Sequence, residues 1–355
     1  MISWFQWNRT RRTNRNPARG FFICAPEVMR CGIVQHMSSN KPVLVSGVKP
    51  TGDLHIGNYF GAMRQQVELA ASGKYRPFIF VADYHALNSM QDAEDMKHRT
   101  RELVMAYLAI GLNPENVVLF KQSDVPACTE LTWIFDAITT MPYLMRAHAY
   151  KDAEAKNKEI SVGTFNYPML MAADILLYDA AVVPVGADQK QHVEYARDTA
   201  EKFNRIFKTE VFTLPEPYIM PDVAIVPGTD GRKMSKSYGN VIPLFASRDE
   251  LHKRVMSIVT DSSGDRPENV YAMHKLVRTE SELGKMYDEH RGNYKMLKEL
   301  LFEDLDRYLA PLRAKYEELK DNPAIVDEVL ARGKTEARAV AETKMEQVRA
   351  AIGVA

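Results

Sequence analysis

Lys233 and Lys236 stand three residues apart in "GRKMSKSYGN", with hydroxyls at Ser235 and Ser237 and with Gly231 and Gly239 as flanking hinges. Two ammonium groups at that spacing can converge on one polyanion, and the hydroxyls add donors. An isolated lysine pair reads as readily as a solvated basic loop. A second candidate lies far earlier, in "SGVKPTGDLHIGNYFGAM". There a strand ends at Ser46-Gly47, a turn follows, and a helix starts near Gly57. The free backbone N–H groups of a helix start attract phosphate. Gly57 permits close approach to the backbone, and His55 and Asn58 can donate to phosphate oxygens. Alone, this stretch reads equally as an ordinary strand–turn–helix with a capping asparagine. A third candidate is "TFNYPMLMAADILLYD", where Tyr167, Met171 and Asp174 fall at i, i+4 and i+7 on one helix face. The tyrosine and methionine suit core packing as well as a ligand. Asp174 is harder to bury idly, because an unpaired buried carboxylate is costly and wants a donor.

The elements around these residues indicate what positions them. Apolar runs at 43–47, 77–82, 117–120 and 181–186 read as buried strands. Helical patterns at 57–71, 92–110, 165–180 and 188–204 alternate with them. Short apolar strands alternating with helices predict an α/β fold, a Rossmann-like doubly wound parallel sheet covered on both faces. Ligands of such sheets bind beyond the carboxyl ends of the strands. After residue 240 the pattern becomes helical. Leu297, Leu301, Leu305, Tyr308 and Leu312 form one amphipathic face, and Pro311 is expected to kink that helix or begin a new segment. The predicted organisation is a basic, disordered extension over 1–40, a catalytic domain over 41–240 with a helical insertion around 121–180, and a helical domain over 241–355.

Composition bounds the possibilities. The chain has 355 residues, 46% hydrophobic and 26% charged, with a formal net charge of zero. A neutral chain must bind nucleic acid through a local basic surface. No apolar run approaches the ~18–20 residues that span a bilayer, so no membrane association is expected. Cys24, Cys31 and Cys128 have neither metal-site spacing nor an even count, which predicts reduced thiols in a cytoplasmic protein. Residues 1–40 carry Arg9, Arg11, Arg12, Arg15, Arg19 and Arg30 against Glu27 alone. That composition fits an organelle-targeting segment, but the expected reading is a mobile tail, with Met37 available as a later start.

Taken together, "HIGN" and "KMSKS" resemble the two signatures of class I aminoacyl-tRNA synthetases, the first as a variant of His-x-Gly-His. Within that class the chain is similar to the bacterial-type tryptophanyl-tRNA synthetases. The match runs through "YPMLMAADILLY" and "VPVGADQKQH", then "VTDS" and "KMEQVRAAIG", and covers nearly all of 42–353. The resemblance implies activation of L-tryptophan by ATP with Mg2+, followed by transfer to tRNA(Trp). It implies no tightly bound cofactor or structural metal, a homodimer, and C-terminal helices that read the anticodon. One clamp holds the nucleotide at a helix start, and the other follows the leaving pyrophosphate on a mobile loop. A carboxylate is already a nucleophile, so catalysis is positioning plus charge stabilisation.

The same resemblance implies residue roles. Asp174 accepts the indole N–H, which is donor-only. Met171, Val183 and Val185 line the ring slot, with Val45, Gly47 and His85 beside it. Tyr167 and Gln189 contact the substrate ammonium. Lys49, Pro50, Thr51, Gly57 and Asn58 hold ATP, and Gly186, Ala187 and Asp188 meet adenine and ribose, with the backbone near Ile225 touching adenine. Lys233, Met234, Ser235, Lys236 and Ser237 form the pyrophosphate loop. Catalytic roles fall to His55, Asn58, Lys233, Lys236 and Ser237, and Lys151 adds a phosphate contact. Two positions depart from the family pattern. Lys49 replaces a usual glutamine and is expected to turn toward phosphate, and Val45 replaces a usual phenylalanine. Two other readings remain. Tyrosyl-tRNA synthetases carry glutamine where this helix has Met171, which disfavours that activity. An auxiliary paralogue with a regulatory or protein-binding role would keep the same motifs.

Overall fold

In the computed structural model of the chain, the described residues are 41–50, 52–155, 159–186, 190–219, 226–260 and 266–355. The proposed extension over 1–40 lies outside them. Residues 40–355 cluster as one compact unit.

The four expected strands form: β1 (Val43–Val48), β2 (Arg76–Val81), β3 (Val118–Lys121) and β4 (Val182–Val185). A fifth, β5 (Glu216–Ile219), was not anticipated. Its sequence, EPYI, has no apolar run because Glu216 and Tyr218 are exposed, and its edge position tolerates Pro217. All pairings are parallel, in the order β3-β2-β1-β4-β5. Connections therefore run to both sides of β1, and the strand order reverses between β1 and β4. A ligand crevice is expected outside the carboxyl ends of those two strands.

Strand alternation divides the core into two layers. Phe78 and Phe80 of β2, with Phe120 of β3, pack into one cluster, while Ile79, Val81 and Leu119 pack into the other. The helices that cover these faces follow the chain. They begin with α1 (Ile56–Asn58), a π-helical stretch at Tyr59–Met63 and α2 (Arg64–Ala71), then α3 (Asp83–Ala86) and α4 (Ala93–Ala109). Next come α5 (Ala127–Ile138), α6 (Met141–Leu144), α7 (His148–Ala155), α8 (Val162–Leu176) and α9 (Lys190–Phe207). Helices α5, α8 and α9 supply the phenylalanine-side layer, and α4 supplies the other. Ser161 caps α8 by accepting from the Thr164 N–H at 3.1 Å, which starts the helix three residues earlier than its apolar pattern predicts.

The C-terminal part holds α10 (Arg248–Met256), α11 (Glu268–His274), α12 (Glu280–Glu289), α13 (Tyr294–Asp321) and α14 (Pro323–Ile352). Leu297, Leu301 and Leu305 are buried, as their periodicity predicts. Pro311 does not begin a new segment, and α13 passes through it as one helix. Buried Leu305, Leu309, Tyr316 and Leu319 on both sides of the proline anchor the helix across the lost hydrogen bond. Helix α14 lies along β3, pinned by Arg76–Glu336 (2.9 Å) and Arg332–Glu115 (2.6 Å). Gly333 sits where any Cβ would overlap the Leu119 carbonyl oxygen, a backbone atom that cannot swing aside.

Gly333→Ala should therefore destabilise the protein by about 1–3 kcal/mol through overpacking, despite the ~1 kcal/mol that alanine gains in helix propensity. A urea unfolding curve checks this, and an unchanged or higher midpoint would mean that α14 can shift away from β3.

Candidate active site

A cavity of about 290 Å3 opens at the carboxyl ends of β1 and β4. Its wall includes Val45, Gly47, Phe80, Met171, Val183 and Val185, and His85, Tyr167 and Gly186 also line it. Helix α8 presents Tyr167, Met171 and Asp174 to it together, as their spacing predicts. Val45 does face the cavity. Gly47 is required by a neighbour, since a Cβ there would enter the Phe80 ring.

Asp174 is 4% exposed. Its carboxylate accepts from Gln122 Nε2 at 2.9 and 2.8 Å, one bond to each oxygen, and pairs with His85 Nε2 at 3.0 Å. Burial raises its pKa, and the bonds to His85 and Gln122 pull in the opposite direction. A carboxylate has about four lone-pair sites. Three donor contacts leave capacity for one more, and Asp174 lines the cavity, so a donor arriving there can use it. Gln122 was not singled out from the sequence. Its position immediately after an apolar strand was the available signal. Gln122 Oε1 also accepts from the His85 N–H at 3.3 Å, so β3 and α3 orient the acid together.

Tyr167 hydrogen-bonds His192 through its hydroxyl. Lys49, expected to turn toward phosphate, places Nζ 6.0 Å from the Tyr167 ring centroid. It stands at the boundary with a second cavity, of about 180 Å3, that runs past Pro50, Gly52 and Asp53. Solvent reaches Lys49 along the cleft, yet the surrounding protein lowers its pKa by burial.

The two signature segments meet on this side. Ile56 N–H donates to Ile242 C=O at 3.0 Å, Leu244 N–H donates to Leu54 C=O at 3.0 Å, and His55 bridges Pro243. The turn is closed internally by His55 N–H donating to Asn58 Oδ1 at 3.1 Å. Gly52 has φ +67°, and a Cβ on it would strike the Lys236 ammonium. Gly57 was expected to admit a ligand. It also gives room to His55 of its own turn and to Met234 of the lysine loop, for a Cβ would lie 2.9 Å from His55 Nδ1 and 3.2 Å from Met234 Cβ. Met234 is buried, while Lys233, Lys236 and Ser237 are exposed and Ser235 is half-buried. Ser235 and Ser237 share a 2.9 Å hydroxyl contact. Lys236 has a lowered pKa, mainly from burial.

His55 is 7% exposed, and its Nδ1 has no hydrogen-bond partner among the described residues. Burial, and then the nearby Lys236 charge, push its pKa down to about 4. It is therefore neutral at pH 7 and can offer one donor and one acceptor. Thr51, Ala187, Asp188, Gln189 and Ile225 lie outside the described residues. Lys151 is exposed on α7.

This geometry can be set against known proteins. The profile of the tRNA synthetases class I (W and Y) matches residues 37–322. The chain belongs to that family. It is 46% identical over 318 residues to the tryptophan–tRNA ligase of Fusobacterium nucleatum, covering 87% of this chain and 97% of that relative. It is 45% identical over 320 residues to the Campylobacter jejuni tryptophan–tRNA ligase, covering 88% and 99%. A crystal structure of the Campylobacter jejuni tryptophanyl-tRNA synthetase, complexed with ADP and tryptophan, superposes with a TM-score of 0.81 at 43% identity, covering 88% of this chain and 99% of that one. As a class I synthetase fold, the molecule places its "HIGN" and "KMSKS" segments against each other beside a cavity at the point where the strand order reverses.

The depressed His55 pKa has a sign that can be tested. Between about 4 and 6.5 the unfolded chain binds this proton more readily than the folded one, so stability falls as pH drops through that window. His55→Asn should remove that share, about 1–2 kcal/mol at pH 5. The loss of melting temperature between pH 7 and pH 5 should be smaller in the variant by about 2–4 °C. Parallel curves would mean that His55 titrates normally in the fold.

Proposed function

We propose that this chain is a tryptophan–tRNA ligase. It activates L-tryptophan with ATP and then transfers the tryptophanyl group to tRNA(Trp). The observation that carries this reading is Asp174, a buried and oriented carboxylate at the wall of an apolar cavity, with acceptor capacity left for one donor. An indole N–H is a donor with no acceptor function, and it matches that requirement. A flat apolar ring suits the slot between Met171, Val183 and Val185.

In the first step a carboxylate oxygen of tryptophan attacks the α-phosphorus of ATP. The bond from that phosphorus to the bridging oxygen breaks, and pyrophosphate leaves with the electron pair. Lys233, Lys236 and Ser237 are placed to take the charge that builds on pyrophosphate. Neutral His55 and Asn58 hydrogen-bond the phosphates at the helix start without adding charge. Lys49, between the two cavities, is placed near the reacting carboxylate and α-phosphate. The lysines and serines on this side are a donor set for phosphate oxygens, so Mg2+ would arrive on the triphosphate. In the second step the 2′-hydroxyl of the tRNA terminal adenosine attacks the adenylate carbonyl carbon, AMP departs, and the hydroxyl proton passes to solvent.

The remaining assignments are proposals of the same kind. Residues 41–240 act as the catalytic domain, and the helices over 241–355 read the anticodon. The enzyme works in the cytoplasm. It acts as a homodimer through the apolar surface near the exposed Trp133. Met171 on the cavity wall argues against tyrosine, whose phenol needs a polar partner.

ATP–pyrophosphate exchange tests the activity. Tryptophan should drive it, with tyrosine at least ~100-fold lower in kcat/KM, as expected where a buried polar group would be left unpaired. Comparable rates with tyrosine would overturn the assignment. Asp174→Ala should raise the tryptophan Kd about 10-fold or more, from a cost of ~1–3 kcal/mol for the lost acceptor, while ATP binding survives. Calorimetric titration of each ligand checks this, and an unaltered tryptophan Kd would make Asp174 a purely structural acid.

A further inference from the structure

Asn240 closes the stretch "KMSKSYGN" and lies outside the signature itself. It is 2% exposed, and its carboxamide makes three bonds. Oδ1 accepts from the Ser235 N–H at 2.8 Å, and Nδ2 donates to Asp230 Oδ1 at 2.6 Å and to the Lys233 carbonyl at 3.2 Å. Its own backbone carbonyl accepts from the Thr229 N–H at 2.9 Å. Gly228 makes room for it, because a Cβ at 228 would overlap the carboxamide.

These bonds bracket Met234. They fix the carbonyl of Lys233 on one side and the amide of Ser235 on the other, as a neighbouring strand would. The turn before them is held by Met234 N–H donating to Val226 C=O at 2.9 Å and Gly228 N–H donating to Arg232 C=O at 2.6 Å. The residues after them form only a single 3-10 turn, Lys236–Tyr238, ending at Gly239 with φ +65°. Asn240 thus stands at the boundary between a clamped turn and a short, lightly bonded tip that carries Lys236 and Ser237.

We infer that Asn240 is a positioning residue for the activation step: its carboxamide aims Lys233 and anchors the root of the loop whose tip follows the pyrophosphate. This rests on the ligase reading above. No lining residue of the amino-acid cavity belongs to the loop over 226–240, so the clamp acts on the leaving group and leaves tryptophan binding alone. An interaction that matters only as charge develops appears in kcat.

The test is ATP–pyrophosphate exchange by the full chain. Wild-type exchange that depends on tryptophan establishes the underlying activity, and its absence would count against that reading rather than the clamp. Asn240→Ala should lower kcat about 30-fold, equivalent to about 2 kcal/mol, with the tryptophan KM within twofold of wild type. Asn240→Asp should fall at least as far, because it sets a second carboxylate beside Asp230. Adding Asp230→Asn restores a donor facing that carboxylate and keeps the acceptor for Ser235, so the double variant should recover at least ~5-fold over Asn240→Asp. A kcat within threefold of wild type in Asn240→Ala would overturn the inference. So would a tryptophan KM that rises as steeply as kcat falls, or a double variant no better than Asn240→Asp. Should Asn240→Ala fail to fold, the Asp230/Asn240 exchange decides alone.

Discussion

Everything in the cleft depends on a short backbone seam, the pair of hydrogen bonds that tie residues 54–56 to residues 242–244. The first segment leaves the central strand of the sheet and the second leaves the lysine loop. The two bring complementary features, since a helix start supplies partial positive charge and the lysine loop supplies full charges. Main-chain bonding sets the distance between them without spending the side chains that must stay available. Gly52 and Gly57 exist on those terms, each making room for a residue of the other motif or of its own turn.

The electrostatic layout follows from that seam. A carboxylate sits buried at the cavity wall, a neutral imidazole sits in the turn, and ammonium groups face the open cleft. His55 stays neutral because Lys236 is close and water is excluded. Positive charge is thereby concentrated on the exposed Lys233 and Lys236. Burial raises the Asp174 pKa, and the directed bonds from Gln122 and His85 work against that rise. A carboxyl so buried depends on its donors, and these come from the turn just after β3 and from α3.

Much of this was legible in the sequence, and the gaps have physical causes. Four strands announced themselves as apolar runs because both of their faces are covered. β5 stayed hidden because Glu216 and Tyr218 are exposed, so its sequence carries no apolar run. The helix face carrying Tyr167, Met171 and Asp174 was readable from its spacing, and the structure brings the three to one cavity. Gln122 and Phe80 were not readable, for each meets its partner, Asp174 or Gly47, across a long stretch of chain, whereas Asn240 meets Ser235, Lys233 and Asp230 close by, in a turn that no residue pattern announces. The contact between Gly57 and Met234 was not readable either, because it joins the turn to a loop far along the chain. Of the two outcomes expected at Pro311, a new segment does not occur, because the apolar face carries α13 across it.

The packing of α14 on β3 has a consequence for how the molecule is made. Arg338 of α14 donates to the Asp124 carbonyl just beyond β3, across a separation of 214 residues. Until that distant stretch has been synthesised, the outer edge of β3 lacks the cover that α14 gives it. Closing so long a loop costs entropy before any contact repays it. Completion of α14 is therefore late in the order of synthesis, and it is what covers that sheet edge.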